Sequence, residues 1–233
     1  MLIELNEIEK AYRDRQGQPV PVLKGLSLSV EKGEFVSLAG GSGCGKSTLL
    51  NIVGCLDRFD RGVYRFDGED VGSWSEGQRG DLRNRRIGFV FQAFHLLPFL
   101  SVEANIALPF IYNRHGDRPS HDDAETLLKS VGLDGMSQRF PGELSGGQMQ
   151  RVAIARALAL GAELILADEP TGNLDSTVAQ EVLDLFEQLV KQGKTVVLVT
   201  HDPAISARAY RQIKMEGGRI VNDQRREVAG GAL

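Results

Sequence analysis

Short, unbroken apolar runs punctuate this chain, and most of them end in glycine or acid. Residues 33–40, GEFVSLAG, read as a buried strand that closes on glycine. Residues 86–92 (RIGFVFQ), 162–170 (AELILADEP) and 194–201 (KTVVLVTH) carry the same pattern. Between the last two, Val178, Val182, Leu185, Phe186 and Leu189 fall on one face of a helix that stops at Gly193. A further helix is predicted after Lys46. Strands alternating with helices predict an α/β fold with a mostly parallel sheet covered on both faces.

Two regions break the alternation. LIELNEIEKAY and PVLKGLSLSV flank the polar loop RDRQGQP, which predicts antiparallel strands near the start of the chain. Near its end, Gly217-Gly218 separates two short β-prone runs and predicts a hairpin. Residues 93–161 are helix-prone with few strand signals. They read as a helical subdomain inserted in an α/β core of residues 1–92 and 162–233, all within a single domain. The last residues, QRREVAGGAL, read as frayed.

Composition narrows the classes. The 233 residues are 42% hydrophobic and 25% charged, enough for a sizeable core. A net charge of −4 argues against a general polyanion-binding surface, so no nucleic-acid partner is expected. No apolar run approaches the roughly 20 residues of a membrane-spanning helix. The N-terminus lacks the apolar stretch of a secretory signal. Two cysteines, Cys44 and Cys55, have no metal-ligand spacing. The chain reads as cytosolic.

Chemistry enters at Gly40 to Ser47, GGSGCGKS, which fits G-x-x-x-x-G-K-[ST] after a predicted strand and before a predicted helix. Such a loop turns the amides of Gly40, Gly41, Ser42, Gly43, Cys44 and Gly45 toward phosphate oxygens. The helix start adds a favourable dipole. Lys46 is expected to reach the β- and γ-phosphates, Ser47 to bind Mg²⁺, and Thr48 to add a phosphate hydrogen bond. A thiolate is favoured at a helix N-terminus, so alkylation of Cys44 is expected to block nucleotide binding. At the end of the third run, Asp168 is placed to hold Mg²⁺. Glu169 is placed to accept a proton from attacking water.

Between these lies Leu144-Ser145-Gly146-Gly147-Gln148, LSGGQ, ahead of a helix-prone run. With the phosphate loop and the Asp-Glu pair, it resembles the signature of the ATP-binding cassette (ABC) ATPases. The resemblance covers about residues 1–223 and implies a phosphate-loop NTPase core with an antiparallel β subdomain and a helical subdomain. It implies ATP and Mg²⁺ as ligands. Tyr12 matches the aromatic that stacks on adenine, Gln92 the glutamine that meets Mg²⁺ and water, and His201 the histidine at the γ-phosphate. It also implies that two cassettes, a homodimer, face head to tail. The serine and glycines of Leu144–Gln148 from one would cap the ATP of the other, and Asp175 of GNLD would touch the opposing subunit. Pro141 matches a joint before the signature.

Family work is delivered to a transmembrane permease, which would hold the chain at the cytoplasmic face of the membrane. The strip AFHLLPFLSVEANIALPF (93–110) is where a permease helix would dock. NIVGCLDRFDRGVYRFDGEDV and DEPTGNLDS resemble the macrolide-export and lipoprotein-release branch, near the cell-division cassettes. The alternative is a soluble cassette ATPase of DNA maintenance or translation. The acidic balance, the absence of a long coiled coil and the single cassette weigh against it.

Overall fold

The computed structural model describes residues 1–113, 116 and 120–226. In chain order its elements are β1 (Ile3–Arg13), β2 (Pro19–Val30), β3 (Phe35–Gly40), α1 (Lys46–Val53), β4 (Arg61–Phe66), β5 (Glu69–Asp70), α2 (Glu76–Arg85), β6 (Ile87–Phe91), α3 (Val102–Ile111), α4 (His121–Ser130), α5 (Gly146–Leu158), β7 (Leu164–Asp168), α6 (Ser176–Lys191), β8 (Thr195–Thr200), α7 (Pro203–Ser206), β9 (Arg211–Glu216) and β10 (Arg219–Arg225). They fall into two units, one of Met1–Arg79 with Thr195–Leu233, the other of Gly80–Lys194.

In the first unit, β3 lies between β8 and β9 and runs parallel to both. Every residue of β8 and the first four of β3 are buried, which is why these segments read as continuous apolar runs. β10 returns antiparallel to β9 across the Gly217-Gly218 turn, as the sequence predicts. A separate antiparallel sheet takes the order β2-β1-β4-β5. Its β4–β5 hairpin was not predicted, and it turns on Asp67-Gly68, both with positive φ.

Arg211 pins the edge of this unit. It is only 7% exposed. Its Nε and Nη2 donate to both oxygens of Asp223 (2.8 and 2.7 Å) and its Nη1 donates to Glu34 (3.1 Å) and the Ser29 carbonyl (2.8 Å). The Arg211 hydrogen bonds hold the Asp223 carboxyl below the usual carboxylate range, against the opposing effect of burial. Beyond Asp223 the expected fraying does not begin at once. Gln224 and Arg225 pair with Gln212 and Arg211, and Arg225 bridges to Glu34 at 2.9 Å. Residues 227–233, the rest of the tail read as frayed, lie outside the described residues.

In the second unit, β6 and β7 pair in parallel with Phe91 opposite Asp168. The described part of residues 93–161 holds α3, α4 and α5 and no strand. α5 is covered nearly all round: Val152, Ala153, Ile154 and Ala155 are buried at consecutive positions. α6 buries Val182, Leu183, Phe186 and Leu189 on one face, close to the predicted stripe.

Candidate functional site

Parallel strands deliver their carboxyl ends to one edge of a sheet, and each unit carries expected chemistry at its own strand ends. In the first unit, β3 ends at Gly40 and its neighbour β8 ends just before His201. The loop between Gly40 and α1 has the curled backbone that phosphate binding needs. Gly45 caps α1 with φ 101°, and no side chain caps the helix. No acidic residue sits in its first turn either. The amides of this helix start are thus left without a side-chain cap, the arrangement an anion-binding helix start requires.

Lys46 is nearly buried, at 9% exposure, and folds back over the loop. Its Nζ donates to the carbonyls of Gly40 (2.8 Å) and Gly41 (2.9 Å). Cys44 is also buried and unpaired in any disulfide; its Sγ lies 3.8 Å from Lys46 Nζ. A Cβ on Gly40 would sit 2.8 Å from that sulfur. The thiol is thus packed under the loop, while the exposed backbone of Gly41, Ser42 and Gly43 faces outward. An alkyl group on Cys44 would have to displace the loop that carries the expected phosphate contacts.

Ser47 is exposed on the first turn of α1 and Thr48 half-buried beside it. Tyr12, on β1, lies against the same turn: Thr48 and Asp57 both act on its hydroxyl. Its hydroxyl donates to Asp57 at 2.7 Å, and Lys10 Nζ stands 5.0 Å from the ring centroid. Burial and the Asp57 carboxylate raise the Tyr12 pKa, so the phenol stays protonated at neutral pH. Lys10 also binds Asp57, at 2.8 Å. Asp57 and Lys10 thus hold the ring, a support absent from the sequence reading. His201 is exposed, and it lines a cleft of about 590 Å³ with Gly40, Gly41, Ser42 and Lys214.

In the second unit the register of β6 and β7 brings Gln92 and Glu169 out side by side, each one residue past the paired Phe91 and Asp168. Glu169 has φ 47°, a left-handed conformation that costs a non-glycine residue of order 1–3 kcal/mol. The turn is closed by the Gly172 amide donating to the Glu169 carbonyl at 3.0 Å. Gln150, fully buried on α5, donates to the Pro170 carbonyl at 2.6 Å and ties that turn to the helix. Asp168 is half-buried at the strand end.

LSGGQ forms the start of α5. Ser145 is the N-cap: its hydroxyl accepts from the Gln148 amide (3.3 Å), and Gln148 Oε1 accepts from the Ser145 amide (2.9 Å). This reciprocal capping box satisfies two helix-start donors. Leu144 is buried. Gly147 has an internal reason to be glycine: a Cβ there would overlap Val178 Cγ1 on α6. A Cβ on Gly146 would meet Leu174 at 3.3 Å. Gly147 is thus buried against α6, a packing duty within its own chain. Asp175 likewise has work in its own chain, accepting from the Thr177 and Val178 amides (both 3.0 Å) as N-cap of α6.

Arg156 completes the unit and was not singled out from the sequence. It donates to the His95 and Phe94 carbonyls (2.6 and 2.8 Å). Both of those residues have positive φ, 51° and 57°. The guanidinium thus holds a strained turn just after Gln92. Within residues 93–110, Val102 and Ile106 are core, whereas Phe99 is 72% exposed. A groove of about 310 Å³ is lined by Phe89, Phe91, Leu108, Tyr112, Arg156 and Leu160, among others.

Among the described residues no three His, Cys, Asp or Glu side chains are gathered to hold a metal. Mg²⁺ takes one or two protein ligands together with substrate phosphates and water. The exposed Ser47 hydroxyl and the strand-end Asp168 are oxygen donors of the right kind.

A sequence model described as ABC transporter matches residues 23–172. The uncharacterized ABC transporter ATP-binding protein YvrO of Bacillus subtilis is 44% identical over 228 residues, which cover 98% of this chain and 99% of YvrO. The macrolide export ATP-binding/permease protein MacB of Mannheimia succiniciproducens is 46% identical over 95% of this chain and 34% of MacB. The pyoverdine export ATP-binding/permease protein PvdT of Pseudomonas aeruginosa is 48% identical over 95% of this chain and 34% of PvdT. The chain spans about a third of the length of these export proteins. A dimeric post-hydrolysis state of the cassette MJ0796 bound to ADP and Pi superimposes with a TM-score of 0.86 at 38% identity, covering 96% of this chain and 98% of that one.

Proposed function

The chain belongs to the ABC transporter family, and from that premise we propose that it is the ATP-hydrolysing cassette of a transporter whose membrane permease is a second polypeptide. Its reaction is hydrolysis of ATP to ADP and phosphate, with Mg²⁺. In the proposed cycle two cassettes close on ATP, hydrolysis reopens them, and the permease takes up the motion.

Each residue has a task in that scheme. Phosphoryl transfer passes through a loose transition state, so catalysis is positioning and charge stabilisation. Lys46 exchanges its bonds to the Gly40 and Gly41 carbonyls for bonds to the β- and γ-phosphates, one set of charge-assisted bonds for another. Gly40, Gly41, Ser42, Gly43, Cys44 and Gly45 offer backbone amides, and Thr48 a hydroxyl. Tyr12 stacks on adenine. Ser47, Gln92 and Asp168 hold Mg²⁺, which when bound neutralises phosphate charge. Glu169 orients water and accepts its proton, and His201 donates to the γ-phosphate.

From the second copy come Leu144–Gln148 and Asp175. Capping uses the Ser145 oxygen only as an acceptor. A hydroxyl also carries one donor proton, so the same serine can cap its own helix and donate to a partner's phosphate.

The observation that supports the transport reading is the apolar groove beside Phe89, Phe91 and Leu160, flanked by Tyr112 at 75% exposure. No helix among the described residues is long and apolar enough to cross a membrane. The proposed station is therefore the cytoplasmic face, reached through the permease. Its similarity to macrolide- and pyoverdine-export proteins favours the branch that uses few spans and a large outer domain.

Affinity capture of the native protein from detergent-solubilised membranes tests this. Recovery of a membrane protein in stoichiometric amount is the expected result. Capture of DNA or ribosomes instead would move the chain to the soluble ATPases.

A further inference from the structure

We infer that Asn173 is a positioning residue that turns the Gln92 amide the right way round for a cation; this rests on the reading of Gln92 as a Mg²⁺ ligand given above. An amide can offer a metal only its oxygen, and nothing in the side chain itself decides which end faces out. Here the decision starts from the backbone. Asn173 Nδ2 donates to the main-chain carbonyl of Gln92 at 3.1 Å. A carbonyl can only accept, so this bond fixes which end of the Asn173 amide is nitrogen. Asn173 Oδ1 must then face Gln92, and it accepts from Gln92 Nε2 at 3.0 Å. Reversing either amide would set oxygen against oxygen or nitrogen against nitrogen. The nitrogen of Gln92 is spent on Asn173, and Oε1 is left for the ligand.

Gly172 completes the clamp. A Cβ there would come 2.7 Å from Gln92 Nε2 and 2.9 Å from its Cδ, so the amide lies flat on bare backbone.

The test uses the full chain carrying Glu169→Gln, with Mn²⁺ as the probe ion and its affinity for the ATP-loaded protein read by electron paramagnetic resonance. Asn173→Ala, Gln92→Ala and the double variant are compared. Loss of a group that orients a ligand costs about tenfold or more in metal affinity, and that is the expected effect of Asn173→Ala. The double variant should match Gln92→Ala alone. In the nucleotide-free protein, NMR should show the Gln92 side-chain NH₂ protected from exchange, and Asn173→Ala should abolish the protection. Additive losses, or an unchanged affinity in Asn173→Ala beside a weakened Gln92→Ala, would overturn the coupling. An unchanged affinity in Gln92→Ala would instead remove Gln92 from the metal site, and the inference with it.

Discussion

Two helix starts of this protein carry glycines, and they use them in opposite ways. At α1 the cap is Gly45, with a positive φ and no side chain to fill the helix end. The amides stay open and a buried lysine waits on the loop carbonyls. At α5 the cap is Ser145, and a reciprocal box with Gln148 fills the helix end from within. There Gly147 serves packing, because α6 leaves no room for a Cβ. The first start is built to be completed by a ligand. The second is complete in its own chain and offers only what capping leaves over: one hydroxyl proton and, by helix geometry, the first amides. A grip on phosphate from α1 is thus primary, and a contribution from α5 is added to a helix that is already satisfied.

The strongest way to break the comparison is to stop hydrolysis while leaving both helix starts intact. Glu169→Gln is expected to lower turnover by about 10²–10⁴-fold, the usual worth of a positioned proton acceptor. ATP should then accumulate as a bridge, and light scattering should report a dimer. A monomer at saturating ATP would mean that α5 has no part in binding a partner's nucleotide.

Next in size is Gly147→Ala, which puts a methyl into Val178. Overpacking of this kind costs about 1–3 kcal/mol, measured by denaturant unfolding. Val178→Ala in the same chain should recover most of that loss. If Gly147→Ala proves neutral in stability yet abolishes the ATP-bound dimer, the glycine serves the partner and not the packing.

How much of this was legible beforehand depends on what each residue answers to. The strand–loop–helix around Lys46 was plain, because open conformation and charge are written into consecutive residues. Strands β3, β7 and β8 were plain for a similar reason: both faces are covered, so the runs are unbroken. The Gly217-Gly218 hairpin was read, whereas the equivalent turn at Asp67-Gly68 was passed over. Asp-Gly is as good a signal, but β5 after it is two residues long and gives no alternation to recognise. The chemistry at Gln92 and Glu169 was named, but its supports were not. Asn173, Gln150 and Arg156 act through backbone carbonyls 20 to 81 residues away, and no local pattern encodes such a bond. The packing duty of Gly147 was not legible, because its neighbour Val178 lies on another helix.

The smallest expected effect separates the two duties of Ser145. Ser145→Ala removes the cap and should cost about 1 kcal/mol of stability. Ser145→Asp should cost only a few tenths, since aspartate caps a helix about as well as serine. Yet aspartate has no proton to give a phosphate at neutral pH and adds a charge that repels one. In the Glu169→Gln background, then, Ser145→Asp should leave the unfolding midpoint near that of the parent while the ATP-bound dimer weakens. Ser145→Ala should lose both. Were Ser145→Asp to dimerise with ATP as the parent does, capping would be the whole function of this serine, and the α5 start would be structural alone.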